Sequence, residues 1–153
     1  MPHGDEAEVT IEEAIDVGLK THEQGDLAAA ESIYSQILEV DPKNSKVYHL
    51  MGVLQIQTGK ILDSLSSFDH AIDYEPGMAE AYCNKGLALQ KLGRSAEAVE
   101  YFQGAINHNP EIADFYVGLG SALDDEQRFD EAVKVFNKAL TLDPQHADCY
   151  NNL

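Results

Sequence analysis

The sequence has only two cysteines, no tryptophan and no long hydrophobic segment. Two cysteines, Cys83 and Cys149, are too few for a disulfide framework. No run approaches the roughly 18 to 20 apolar residues that a membrane-spanning helix needs. The opening residues, MPHGDEAE, have neither the positive charge nor the apolar stretch of a secretory signal peptide. We therefore expect a cytoplasmic protein with reduced cysteines and no membrane association.

Basic residues are scarce as well. Ten Lys and Arg stand against 27 Asp and Glu, which gives a formal net charge of −17 over 153 residues. A surface of this sign repels the phosphates of nucleic acids and anionic lipid headgroups, so we expect no nucleic-acid partner. The hydrophobic fraction of 44% excludes wholesale disorder and leaves room for one domain or several small repeats.

The sequence does contain a repeat of 34 residues. Three residue types recur in this register: prolines at Pro42, Pro76, Pro110 and Pro144; glycines at Gly18, Gly52, Gly86 and Gly120; and aromatic residues at Tyr34, Phe68, Phe102 and Phe136. Several independent series that share one period are very improbable by chance. The pattern predicts pairs of helices stacked one after another.

Each series has a physical reason. Glycine in the middle of a helix is tolerated where a neighbouring helix packs too closely for a side chain, and the aromatic series is expected to fill the space between paired helices. A second glycine series, Gly25, Gly59 and Gly93, is expected to adopt left-handed turns, with Gln127 at the fourth position. The prolines are expected to end each second helix.

The third copy, AEAYCNKGLALQKLGRSAEAVEYFQGAINHNPE at 79–111, shows the pattern best. It resembles the tetratricopeptide repeat family, whose helix–turn–helix unit has an aromatic residue, Leu-Gly, Ala, Phe, Ala and Pro at these offsets. The resemblance covers residues 11–153. It implies an all-α fold, a right-handed α-solenoid of antiparallel helix-turn-helix repeats.

The register divides the chain into an acidic leader at 1–10 and four repeats at 11–44, 45–78, 79–112 and 113–146. The last segment, ADCYNNL at 147–153, aligns with AEAYCNK and is interpreted as the start of a truncated fifth repeat helix. Because such arrays normally finish with a polar capping helix, we expect a fragment of a longer protein. The alternative is a self-assembling scaffold, a homo-oligomer that forms through the uncapped C-terminal repeat.

The resemblance implies that the first helices line a concave groove that binds an extended peptide or a partner helix. The groove residues predicted on this basis are Leu19, His49, Leu50, Val53, Ile56, Cys83, Asn84, Leu87, Gln90, Val117, Ser121 and Asp124. Twelve further residues are expected on the same face: Glu12, Ile15, Asp16, His22, Glu23, Lys46, Gln57, Glu80, Lys91, Asp114, Gly118 and Asp125.

Charge is concentrated at the two ends of the chain. Residues 1–42 hold eleven acids and one base, residues 111–153 hold nine acids and three bases, and the stretch between them is close to neutral. This distribution favours a protein or peptide partner with an apolar centre and basic flanks. The alternative is that the acids only keep the outer repeats solvated.

Two known functions of similar repeats can be compared with these positions. Repeats that bind the acidic tails of chaperones use a clamp of Lys, Asn and Arg, of which only Asn84 is present, so this function is disfavoured. The superhelix of O-linked N-acetylglucosamine transferases has an asparagine ladder; the equivalent positions are Asp16, Leu50, Asn84, Gly118 and Asn152. The opening repeat, GDLAAAESIYSQILEVDP, is similar to repeats that precede glycosyltransferase or methyltransferase domains. An alternative function is an N-terminal recruiting domain of a larger enzyme, such as an O-linked glycosyltransferase or a methyltransferase.

No residue pattern predicts catalysis. The six histidines form no H-E-x-x-H motif, and Cys83 has no adjacent base. The acidic run at 124–126 lacks the glycine and alternating oxygen ligands of a calcium loop. The glycines belong to the repeat and form no phosphate-binding loop. We expect a non-catalytic interaction module with no metal and no cofactor.

Overall fold

The computed structural model describes residues 9–153, and these residues form nine α-helices without a β-strand. The helices are α1 (Ile11–Glu23), α2 (Leu27–Val40), α3 (Ser45–Gln57), α4 (Ile61–Tyr74), α5 (Ala79–Lys91), α6 (Ser95–His108), α7 (Ala113–Asp125), α8 (Phe129–Leu142) and α9 (Ala147–Asn152). Most of the predicted acidic leader, residues 1–8, lies outside this part of the chain.

Helices that follow one another along the chain pack together as antiparallel neighbours. The odd-numbered helices also contact each other, α3 with α5, α5 with α7 and α7 with α9. The result is a right-handed solenoid of helix pairs, as predicted, in which the odd-numbered helices form a continuous row. None of the helices between residues 9 and 153 has the length and apolar character needed to cross a membrane.

The prolines and the mid-helix glycines act as predicted. Each of α2, α4, α6 and α8 ends two residues before a proline of the series. A Cβ atom added to Gly52 would lie 2.6 Å from Cε1 of Phe68, and one added to Gly120 would lie 2.6 Å from Cε1 of Phe136. Real Cβ atoms do not approach other atoms so closely. Glycine is therefore what allows the aromatic ring of each second helix to lie against its first helix.

The ring of Phe102 in α6 contacts two glycine positions. A Cβ atom on Gly86 would lie 3.0 Å from this ring, and one on Gly118, in the next helix pair, only 2.3 Å from it. Phe102 is completely buried. It thus joins α5, α6 and α7 in one packed core.

The turns within the helix pairs have the predicted left-handed backbone. Gly25, Gly59 and Gly93 have φ angles of 84°, 78° and 72°. Gln127, at the equivalent position before α8, adopts a φ of 59° without the freedom of glycine. A residue with a Cβ atom is strained in this region by about 1 to 2 kcal/mol.

We expect Gln127→Gly to raise the free energy of unfolding by about 0.5 to 1 kcal/mol, because relief of this strain exceeds the entropy cost of glycine. The reverse change at the equivalent turn, Gly93→Gln, is expected to lower it by about 1 kcal/mol. Urea denaturation followed by circular dichroism would measure both. A loss of stability in Gln127→Gly would contradict this account of the turn.

The structure also contains a buried cation that the repeat pattern does not indicate. Lys85 in α5 is 7% exposed, at a position occupied by Val17, Met51 and Leu119 in the other helix pairs. Its Nζ donates hydrogen bonds to Asp69 and, at 2.8 Å, to the Tyr101 hydroxyl. Burial lowers the pKa of Lys85, but these hydrogen bonds outweigh it and hold the pKa above its ordinary value.

Candidate functional site

The row of odd-numbered helices forms one side of a cavity of about 550 Å³. We call this surface the groove: it consists of the cavity-lining residues of α3, α5, α7, α9 and the turn before α9. The lining side chains come mainly from the odd-numbered helices, which are the first helices of successive pairs. Each of these helices has the same orientation as the previous one, so equivalent positions lie side by side. A ligand in the cavity would therefore contact several repeats at once.

Seven of the twelve predicted groove residues line the cavity. They are His49, Cys83, Asn84, Leu87, Gln90, Val117 and Ser121. Of the twelve further residues expected on the same face, only Glu80, Asp114 and Gly118 line the cavity, and Asn152 lines it as well. The structure thus brings together the predicted residues of α5, two of the three predicted for α7, and one residue of α3.

The other five predicted residues lie outside the cavity lining. Leu19 and Leu50 are half-buried and pack against the core of α1, α2 and α3. Val53 and Ile56 are half-buried on α3, and Asp124 is exposed near the end of α7. Their role in binding stays a prediction.

Hydrogen bonds between side chains cross three of the four joints between consecutive odd-numbered helices, those of α1 with α3, α3 with α5 and α5 with α7. At the first two joints, His22 Nε2 lies 2.8 Å from Gln57 Oε1, and Asn84 Nδ2 lies 2.8 Å from His49 Nε2. Burial lowers the pKa of His49, which favours a neutral imidazole that accepts the proton of the Asn84 amide. These contacts hold successive first helices in a defined register.

The joint between α5 and α7 is linked through Gln90. Its Nε2 donates to Ser121 Oγ at 3.2 Å and to Asp125 Oδ2 at 2.8 Å. Ser95 Oγ donates to the same carboxylate oxygen at 2.9 Å. Asp125 therefore has protein partners, which the acidic run at 124–126 in the sequence does not indicate.

Three carboxylates line the cavity, one from each of three successive first helices. Glu80, Asp114 and Asp148 lie 34 residues apart and are all exposed. His146, in the turn before α9, donates from Nε2 to Asp114 Oδ1 at 2.6 Å. The hydrogen bond to Asp114 raises the pKa of His146. The lining residues that the structure describes include no Lys or Arg.

The Cys83 side chain lines the cavity, and its thiol is not activated as a nucleophile. Burial, followed by the negative charges of Asp114 and Glu80, raises its pKa to about 12. A thiol with such a pKa is protonated at neutral pH and is a poor nucleophile. Within residues 9–153, no three His, Cys, Asp or Glu side chains are close enough together to hold a metal ion.

Sequence reasoning missed three residues of the lining: Phe115, His146 and Asp148. Asp148 had a usable signal, because it continues the register of Glu80 and Asp114. His146 had none, since it lies in a turn whose path brings it back against α7. Phe115 is 5% exposed and belongs mainly to the core.

Comparison with known sequences identifies one family. The sequence pattern of the family described as tetratricopeptide repeat matches residues 49–107 and, in an overlapping match, 83–147. Among curated proteins, none matches the chain significantly.

Comparison with solved structures finds the same architecture. A crystal structure of MamA is 26% identical, with a TM-score of 0.84 over 93% of this chain and 78% of MamA. MamA from Desulfovibrio magneticus RS-1 is 18% identical, with a TM-score of 0.83 over 92% of this chain and 79% of that one. YrrB, described as a TPR protein with an unusual peptide-binding site, is 23% identical, with a TM-score of 0.81 over 97% of this chain and 76% of YrrB.

Proposed function

This chain belongs to the tetratricopeptide repeat family, and from that premise we propose that it is a non-catalytic module that binds a peptide or partner helix in its groove. The observation that supports the groove as the site is the cavity of about 550 Å³ shared by α3, α5, α7 and α9. A scaffold for protein–protein interaction is the general role of this fold. YrrB, a protein of the same fold described as having a peptide-binding site, agrees with this proposal.

The lining of the cavity combines apolar and hydrogen-bonding side chains. Leu87, which is 40% exposed, and Val117 supply apolar surface for a ligand side chain. Asn84, Gln90 and Ser121 supply amide and hydroxyl groups that can pair with a peptide backbone. A ligand longer than the cavity would continue across α3, on which Val53 and Ile56 are half-buried. The overall charge favours a partner with an apolar centre and basic flanks.

A second candidate function is a recruiting domain of a larger modifying enzyme. It is favoured by Asn84 and Asn152, which occupy ladder positions of the glycosyltransferase superhelix and both line the cavity. The complete gene would test it. A further domain with a nucleotide-sugar or cofactor fold would support this candidate, and additional repeats with a capping helix would support a scaffold.

Peptide-library selection tests the groove as the binding site. We expect Leu87→Gln to weaken the selected peptides about tenfold, since it removes partly exposed apolar surface from the lining. The matched control is Leu62→Gln on α4, whose side chain is 67% exposed and lies outside the cavity. Fluorescence anisotropy with labelled peptides measures both variants. If the selected peptides bind the Leu87→Gln variant with unchanged affinity, the binding site lies elsewhere. If no peptide is selected, the proposed function is refuted.

A further inference from the structure

A row of carboxylates lies beside the apolar surface of the groove. Glu80, Asp114 and Asp148 occupy the same position in α5, α7 and α9, and all three line the cavity. Glu80 and Asp148 have no hydrogen-bond or ion-pair partner among the described residues. Only the Oδ1 atom of Asp114 accepts the hydrogen bond from His146, so its Oδ2 atom remains accessible to a ligand. We call these three residues the carboxylate row.

The carboxylate row and the apolar side chains line the same cavity. Cys83 lines this part of the cavity, and burial together with the negative charges of Asp114 and Glu80 raises the pKa of its thiol. Leu87 and Val117 line the same cavity. A ligand that fills the cavity therefore meets negative charge and apolar surface within a few residues of its own chain.

The spacing of the row matches a peptide in the extended polyproline II conformation. Helices that pack against each other lie about 8 to 10 Å apart, and α5 contacts α7 just as α7 contacts α9. A chain in the polyproline II conformation advances about 3.1 Å per residue with three residues per turn, so every third side chain lies on the same face and successive ones are about one helix spacing apart. One ligand side chain in every three can then reach a successive carboxylate.

We propose that the groove selects peptides in the extended polyproline II conformation with Lys or Arg at every third residue and apolar residues between them. Glu80, Asp114 and Asp148 each pair with one basic side chain, and Leu87 and Val117 contact the intervening apolar residues. The inference rests on the proposed function, and it replaces general basic flanks with a defined spacing.

The signs of charge disfavour other occupants. Acidic peptides and phosphate groups would meet three carboxylates and no Lys or Arg in the described lining. A second copy of this chain is also disfavoured, since the segments 1–42 and 111–153 both carry an excess of acids. A basic, partly apolar peptide is the occupant with complementary charge.

Three synthetic nonapeptides test the spacing. SRLSRLSRS has Arg at every third position, SRRRLSLSS has the same composition with adjacent Arg residues, and SQLSQLSQS replaces Arg with Gln. Fluorescence anisotropy in low salt is expected to show SRLSRLSRS binding about tenfold more tightly than either of the others, because only it aligns all its charges with the row. Its affinity should fall as salt is added.

Variants of the row separate local pairing from overall charge. Glu80→Gln and Asp148→Asn are each expected to weaken SRLSRLSRS about threefold to tenfold. The matched control is Glu100→Gln, which changes the net charge equally at an exposed position of α6 outside the cavity lining and should leave the affinity within about twofold. Glu80→Gln is the decisive variant, because Asp114→Asn would also weaken the charge-assisted hydrogen bond from His146.

The outcomes distinguish this inference from the proposed function. Equal binding of SRLSRLSRS and SRRRLSLSS, or an equal effect of Glu80→Gln and Glu100→Gln, would overturn the spacing. If library peptides bind in a Leu87-dependent manner but SRLSRLSRS does not bind, the inference fails while the function stands. If no peptide depends on Leu87, both fail.

Discussion

Phe102→Ala is expected to lower the free energy of unfolding by about 3 to 5 kcal/mol, because it removes a large side chain from the core. The ring is completely buried and lies against Gly86 and Gly118, so no side chain at either position can move in to fill the space. Urea denaturation followed by circular dichroism measures the loss. The matched control, Phe129→Ala, removes a ring that is 57% exposed and should cost less than about 1 kcal/mol.

A double-mutant cycle tests the contact itself. Gly118→Ala alone places a Cβ atom 2.3 Å from the Phe102 ring, and we expect a cost of about 1 to 3 kcal/mol. In a Phe102→Leu background the same change has room, so its cost should shrink by at least about 1 kcal/mol. This cycle remains informative if Phe102→Ala does not fold. Additive effects would show that Phe102 and Gly118 do not constrain each other.

The fold could be predicted because its determinants are local and repeat in one register. Proline ends a helix and glycine permits a left-handed turn wherever they occur, and Gly52 or Gly120 is required only by an aromatic residue of the same helix pair. Even the exception, Gln127, adopts the backbone conformation of the glycine series. Tertiary contacts reinforce these local signals.

The candidate site was predictable only in part, because its limits depend on contacts between distant residues. Leu19 and Leu50 have the register of groove residues, yet they pack against the core of the first three helices. His146 lines the cavity because its turn returns to Asp114, a contact between residues 32 positions apart. A helical repeat pattern predicts which face a residue occupies but not how deeply its neighbours cover it.

Lys85 shows the same limit within the core. Its position in the repeat predicts an apolar side chain, and the structure instead buries an ammonium group with Asp69 and Tyr101. Lysine can replace an apolar residue here because Asp69 and Tyr101 lie on the neighbouring second helices, α4 and α6. No pattern within one helix indicates such a partnership.

Asp69→Ala is expected to destabilise the chain by about 2 kcal/mol, because it leaves the buried ammonium of Lys85 without its charged partner. The partial exposure of Asp69, 52% for the side chain, keeps the effect below that of a fully buried pair. Removing the cation instead, in Lys85→Met, should change stability by less than about 1 kcal/mol, since an apolar chain of similar length suits the site. Urea denaturation at neutral pH measures both.

The matched control is the surface pair Lys60–Glu31, whose atoms lie 2.8 Å apart with side chains 46% and 34% exposed. Glu31→Ala should cost no more than about 0.5 to 1 kcal/mol, because water solvates the remaining charge. The double variant Asp69→Ala with Lys85→Met should recover most of the stability lost in Asp69→Ala, since no buried charge remains unpaired. Equal costs for Asp69→Ala and Glu31→Ala would contradict this account. They would mean that Lys85 reaches water when its partner is removed, so that the joint between α4 and α5 depends on apolar packing alone.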